Sequence, residues 1–215
     1  MEQHSEQKLI FIDLDGTLTP QSTWYEFNMK LGITPEEDKE LFLQYIDQKL
    51  DYAAWNRELV RLYKSRHPVS RTELLQFAAS IELRPDAAST VRILQENGYQ
   101  VVVLSGSVDL VVETIADKIG VDNWRSTSRL IFDDAGILSD IIASGDEAPA
   151  KELLAEKYAA ENGYVLADAY AVEDGGNGIE LFKKTKGILL GSNEKLKPLA
   201  WKQVETLSEI PALLS

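Results

Sequence analysis

Cysteine is absent from this chain, and histidine occurs only twice in 215 residues. Disulfide frameworks, thiolate zinc knots and cysteine nucleophiles are thereby excluded, which leaves oxygen-ligand or metal-free chemistry. Positive charge is scarce: 22 Lys plus Arg stand against 35 Asp plus Glu, a formal net charge of −13. Clustered cations are what neutralise a polyanion, so neither nucleic acid nor a membrane surface is expected as a partner. No run of about 18 apolar residues occurs, as a membrane-crossing helix would need. Met1 to Lys8 is polar rather than basic and then apolar, so no secretion leader is expected and a cytoplasmic protein is. What is present, 44% hydrophobic residues, is enough to fill the core of one domain, or of one domain with an insertion. A small soluble ligand is the partner class that remains, and composition does not address oligomeric state.

Apolar runs ending in polar or glycine residues mark buried strands at Leu9 to Ile12, Val101 to Leu104, Ala169 to Val172 and Gly187 to Leu190. Helical periodicity lies between them, over Ala87 to Asn97, Asp109 to Gly120 and Ala150 to Ala160, the last through Leu153, Leu154 and Tyr158. Alternation of this kind predicts an α/β fold, a parallel sheet covered on both faces, with ligands beyond the carboxyl ends of the strands. Two segments break it. From Gln21 to Leu83 there is no strand signal but there are helical stripes such as Tyr52, Trp55, Leu59, Leu62 and Tyr63, which predicts a helical insertion acting as a cap. Arg129 to Ile142 reads as a hairpin turning at Asp134, Ala135 and Gly136.

The run DLDGTLT, Asp13 to Thr19, directly follows the first strand. Asp13 and Asp15 point to the same side of an extended segment, and a turn at Gly16 lets both reach one crevice. Asp13 can attack phosphorus and carry the phosphoryl group, while Asp15 protonates the leaving oxygen and later activates water. A hard cation such as Mg²⁺ would offset the repulsion between carboxylate and phosphate. The plain alternative is a strand followed by an acidic turn.

DLDGTLT resembles the first motif, DxDGT(L/V)T, of the haloacid-dehalogenase superfamily of phosphohydrolases, and the remaining motifs follow in order. VVVLSGS supplies Ser105 at the end of the next core strand, with Gly106 and Ser107 behind it to offer a hydroxyl and open N–H groups to phosphate oxygens. APAKELLAEKYA supplies a lysine at a helix start. Lys151 is preferred over Lys157 because the crevice lies beside helix N-termini, and Pro149 suits a first turn. The fourth motif, AYAVEDGGNGIELF, offers Glu173 and Asp174. Against the GDxxxD pattern it departs twice, with Glu173 for Gly and Gly178 for the second Asp. It is similar to the EDSxxGI form of the beta-phosphoglucomutase-like branch, which implies both Glu173 and Asp174 as metal ligands. Asp168, ahead of its strand, is placed on the opposite edge.

The resemblance implies a Rossmann-like core over residues 1–20 and 85–215 with a helical cap over 21–84, nearest to the phosphoserine-phosphatase-like group. The implied activity is Mg²⁺-dependent hydrolysis of a small phosphorylated metabolite through a phospho-aspartyl intermediate. In the implied site Asp13 is nucleophile, Asp15 acid and base, Ser105 and Lys151 hold the phosphoryl oxygens, and Asp13, the Asp15 carbonyl, Glu173 and Asp174 hold the metal. Two rivals stand beside it: a phosphomutase, and a catalytically silent module that binds a small ligand or metal. Arg57, Arg61 and Lys64, with Arg66, His67 and Arg71 beyond, read as a solvated helix face. Ser22, Trp24, Tyr25 and Glu26 follow the first motif closely enough to meet substrate, with core packing of the two rings the equal alternative. His4 and His67 have no partner pattern.

Overall fold

The structure, a computed structural model, describes residues 7–215; the six residues before them, His4 among them, lie outside the described residues. The chain opens with β1 (Lys8–Ile12), passes through α1 (Thr23–Lys30), α2 (Pro35–Ile46), α3 (Tyr52–Arg66), α4 (Arg71–Ser80) and α5 (Ala87–Glu96), and returns to the sheet as β2 (Tyr99–Val108). There follow α6 (Asp109–Lys118), β3 (Trp124–Phe132), β4 (Leu138–Ala143), α7 (Glu147–Glu161), β5 (Tyr170–Glu173), α8 (Ile179–Phe182), β6 (Lys186–Leu190), β7 (Lys202–Val204) and α9 (Ile210–Leu213). The sheet order is β4-β3-β2-β1-β5-β6-β7, parallel except for β4.

Period-two alternation in a strand sends neighbouring side chains to opposite faces. In β1, Ile10 and Ile12 join the apolar cluster formed with α3, α5 and α6, while Leu9 and Phe11 join the cluster formed with α7 and α8. Burial on both faces is why β1 and β2 read as unbroken apolar runs. The same parity carries Asp13, just past the end of β1, toward α7. With β1 between β2 and β5, the three segments that follow these strands converge on one crevice.

The first four helices, α1 to α4, are the expected helical stretch. Thr34 and Ser70 cap α2 and α4 with capping boxes, and Ser22 caps α1. Their apolar sides, through Phe27, Leu59, Tyr63 and Leu74, merge into the cluster that covers one face of the sheet. The expected hairpin is longer than its periodicity: β3 begins at Trp124, whose pairing with Val103 extends the sheet ahead of Arg129. Its turn is held by Asp133, whose Oδ1 accepts from the N–H groups of Ala135 and Ile137.

α7 starts at Glu147, ahead of the expected Ala150, because a proline in the first helical turn leaves no partner unbonded. Its buried stripe also differs from the expected one. Leu153 is 65% exposed, and the residues that face the sheet are Ala150, Lys151, Ala155, Tyr158 and Ala159. β7, three residues long, is too short to show a period and was not expected.

Candidate active site

The Asp13 carboxylate is buried where β1 ends. Its Oδ1 accepts from the Leu14 N–H at 2.7 Å and from Lys151 Nζ at 3.0 Å, while Oδ2 is buried without a hydrogen-bond partner. The chain then turns at Gly16, with φ +78°. A Cβ there would lie 2.1 Å from Asp174 Oδ2, so both the backbone angle and the carboxylate packed on it demand glycine. Asp15 Oδ1 accepts from the Thr23 hydroxyl at the start of α1, and that hydroxyl also bonds Ser107 Oγ. Burial pushes the Asp15 carboxyl up to about 7; the Thr23 hydrogen bond opposes and the Asp13 charge adds to it.

β2 delivers Ser105, Gly106 and Ser107. Ser105 is buried and its Oγ accepts from the Ser107 N–H at 3.0 Å; the Gly106 carbonyl accepts from Trp24 Nε1 at 3.0 Å. The β2–β3 register shifts between Ser105 and Val108, so the chain leaves regular pairing where it passes the crevice.

Lys151 is fully buried, on the side of α7 that faces Asp13, and its Nζ lies 3.0 Å from Asp13 Oδ1 and 2.8 Å from Glu173 Oε2. Burial lowers its pKa, but the charges of Asp13, Glu173 and Glu147 win and hold it above the usual lysine range. Lys157 is exposed, with Glu161 at 3.8 Å. Glu173, also buried, is raised well above the carboxylate range by burial and by Asp13, against the pull of Lys151. Asp174 is raised by burial and then by Asp13, and its Oδ1 accepts from Thr17 Oγ1 at 3.3 Å. Asp168 is exposed on the N-terminal side of β5, 3.9 Å from Lys186, and is not brought into the group.

The profile of the haloacid dehalogenase-like hydrolases matches residues 10–179. The chain belongs to this family. Among curated relatives of this haloacid dehalogenase-like hydrolase, the phosphoserine phosphatase of Methanocaldococcus jannaschii is 33% identical over 179 residues, covering 83% of this chain and 82% of that protein. The phosphoserine phosphatase of Archaeoglobus fulgidus is 27% identical, over 91% of this chain and 56% of that protein. Among solved structures, one described as a phospho-aspartyl intermediate analogue of phosphoserine phosphatase superposes with a TM-score of 0.78 at 31% identity, covering 96% of this chain and 98% of that one. The haloacid dehalogenase-like chain is thus a phosphatase of the phosphoserine-phosphatase-like type.

Within this hydrolase the fourth motif is where the pattern departs. Glu173 turns inward onto Lys151, and the missing side chain at Gly178 leaves the room: a Cβ there would lie 2.5 Å from Glu173 Cγ. Three residues join the site that motif reading passed over. Thr17 and Asn177 lie inside the quoted motifs, and Glu147 precedes Lys151 by four residues, the spacing that puts two side chains on one helix face. Of the residues after the first motif, Trp24 reaches Gly106 while Tyr25 is 41% exposed. Arg61 pairs with Glu58 and Arg66 with Glu37, and Arg57, Lys64 and His67 are exposed.

Proposed function

We propose that this phosphatase hydrolyses a small phosphomonoester through a phospho-aspartyl intermediate, with helices α1 to α4 as its cap. The observation that carries the reading is the Asp13 carboxylate: buried, held by Lys151 through one oxygen, with the other free to act. An Asp13 oxygen attacks phosphorus and the bond from phosphorus to the ester oxygen breaks, as the Asp15 carboxyl gives that oxygen its proton. Water then attacks phosphorus. Asp15 takes the water's proton, the bond to Asp13 breaks, and inorganic phosphate leaves. A carboxyl near 7 is suited to both halves, since it can be found in either form at neutral pH.

Ser105, the backbone N–H groups around Gly106 and Ser107, and Lys151 are proposed to hold the phosphoryl oxygens. The donors fit a hard divalent cation: Asp13 Oδ2 is a buried oxygen without a hydrogen-bond partner, and Asp174 is raised by burial and then by the charge of Asp13. We assign Mg²⁺ to Asp13, Asp174 and the Asp15 carbonyl; when bound it supplies positive charge to carboxylate and phosphate together. Among the described residues no three acidic or imidazole side chains converge closely enough to cage an ion by themselves. For Glu173 we propose a different part from the one expected of an acidic doublet: its carboxylate fixes the Lys151 ammonium. No helix among the described residues is long and apolar enough to cross a membrane. Phosphoserine, named for the relatives, is among the candidates.

The test is phosphate release from p-nitrophenyl phosphate with Mg²⁺ present. Wild type is expected to release it and Asp13→Asn, which cannot attack phosphorus, is expected to lose at least about 10³-fold. Retention of a tenth of the rate by Asp13→Asn would overturn the nucleophile. Isomerisation of a sugar phosphate without phosphate release would favour a mutase, and no reaction of any ester a silent module.

A further inference from the structure

A single hydroxyl stands between the first two motifs. Thr23, the first residue of α1, is fully buried, and its Oγ1 lies 2.5 Å from Asp15 Oδ1 and 2.6 Å from Ser107 Oγ. The place of that hydroxyl is set from the β2 side. Ser107 is buried, its N–H donates to Ser105 Oγ at 3.0 Å and its carbonyl accepts from Ser126 Oγ. Beside it the Gly106 carbonyl accepts from Trp24 Nε1 at 3.0 Å and from Thr127 Oγ1 at 3.2 Å, so two consecutive residues of α1 are pinned to the end of β2. Asp15, on the other side of the hydroxyl, sits on the turn after β1 and is half-buried.

Counting hydrogens fixes the direction of these bonds. A hydroxyl has one proton to give, and a carboxylate has none. Toward ionised Asp15, Thr23 must therefore donate, and Ser107 must donate to Thr23. Among the described residues Ser107 Oγ has no other partner. When Asp15 takes up a proton, placing it on Oδ1 would set two hydrogens between oxygens 2.5 Å apart. The alternative turns both hydroxyls round and strands the Ser107 hydrogen in a buried place without an acceptor, which costs the desolvation of that donor. Oδ1 accordingly stays an acceptor in both states, and the proton goes to Oδ2.

We propose that Thr23 is a positioning residue for the phosphoryl transfer: with Ser107 behind it, its hydroxyl holds Asp15 Oδ1 as an acceptor and confines the transferable proton to Oδ2. The inference rests on the phosphatase reading above and deepens it by assigning the oxygen of Asp15 that acts. In the first half-reaction the bond from an Asp13 oxygen to phosphorus forms, the bond from phosphorus to the ester oxygen breaks, and that oxygen receives the Oδ2 proton. In the second, water attacks phosphorus and gives a proton to Oδ2, while the bond to Asp13 breaks and its carboxylate is recovered. The Thr23 and Ser107 protons stay where they are throughout.

A misplaced acid matters most where the leaving oxygen is most basic, a dependence that a purely structural role would not reproduce. The test measures kcat/KM, with Mg²⁺, for p-nitrophenyl phosphate and for phenyl phosphate, whose leaving oxygen needs the proton more. Thr23→Val keeps the shape and removes the hydroxyl; it should lose about tenfold on p-nitrophenyl phosphate and about 10²-fold on phenyl phosphate. Thr23→Ser, which restores the donor, should bring the ratio of the two esters to within about twofold of wild type. In an Asp15→Asn background Thr23→Val should leave that ratio where Asp15→Asn alone puts it, because no acid remains for the hydroxyl to position. Should Thr23→Val fail to fold, Ser107→Ala takes its place and should widen the ratio by about threefold or more. Equal losses on both esters in the variant that folds, or a ratio that Thr23→Ser leaves as altered as Thr23→Val does, overturn the positioning role and leave the phosphatase reading in place. An Asp15→Asn variant with the wild-type ratio overturns the acid assigned in that reading and this inference with it, as does a wild type that releases phosphate from neither ester.

Discussion

Glu173 fills the space into which a side chain at Gly178 would have to grow: an added Cβ at 178 would meet Glu173 Cγ at 2.5 Å and its Cβ at 2.9 Å. The acid that a GDxxxD motif carries at its end is here carried at its beginning, and the two positions exclude each other. Gly178→Asp in the presence of Glu173 should therefore overpack a buried charged pocket and cost about 1–3 kcal/mol. The double variant Glu173→Gly with Gly178→Asp should recover most of that loss. Thermal unfolding of the two single variants and the double one checks it; strictly additive shifts would show that the two sites are independent.

Glu173 and Asp174 are adjacent but should answer Mg²⁺ differently. Glu173→Gln should lower kcat by about tenfold through a loosened Lys151 and leave the Mg²⁺ half-saturation within about threefold. Asp174→Asn removes a proposed ligand and should raise the Mg²⁺ requirement by about tenfold or more. Titration of phosphate release with Mg²⁺ separates them, and a large rise for Glu173→Gln would return that residue to the metal.

Lys151→Met leaves Asp13 and Glu173 buried without their cation, a change that typically costs about 3–5 kcal/mol. Activity should fall by orders of magnitude, because the charge that balances carboxylate and phosphate is gone. Lys157→Met, on an exposed pair with Glu161, should behave as wild type in both unfolding and turnover. The opposite ranking would exchange the roles of the two lysines.

The metal-free protein should lose stability as pH rises through neutrality. Asp15 has an ordinary value of 3.8 and is pushed up to about 7 by burial, with the Asp13 charge adding to the effect of burial. Between those values the folded state holds a proton that the unfolded chain has released, so each rise in pH favours unfolding. Glu147 and Asp174 are raised as well and act with the same sign. Unfolding midpoints measured in chelator should fall from pH 5 to pH 7.5, and Asp15→Asn should make that slope shallower. An equal slope in the variant would mean that Asp15 does not hold the proton.

The sequence by itself determined the strand ends and the order in which they deliver chemistry. A strand buried on both faces must be apolar throughout, so LIFI and VVVL announce themselves, and a polar cluster directly after such a run can only lie at its end. Asp13, Asp15, Ser105 and Asp174 were legible for that reason, and Lys151 because a helix start lies beside strand ends. Only the tertiary structure decided what these groups face. Lys151 meets Glu173 because β5 is laid beside β1 under α7, and Thr23 reaches Asp15 because α1 folds back over the turn. Glu147 drew no attention as one acid among 35; what distinguishes it is its half-buried place against Gly106 and Asn177. Whether a carboxylate is solvated or packed against a phosphate loop depends on neighbours far along the chain, and local periodicity carries no record of them.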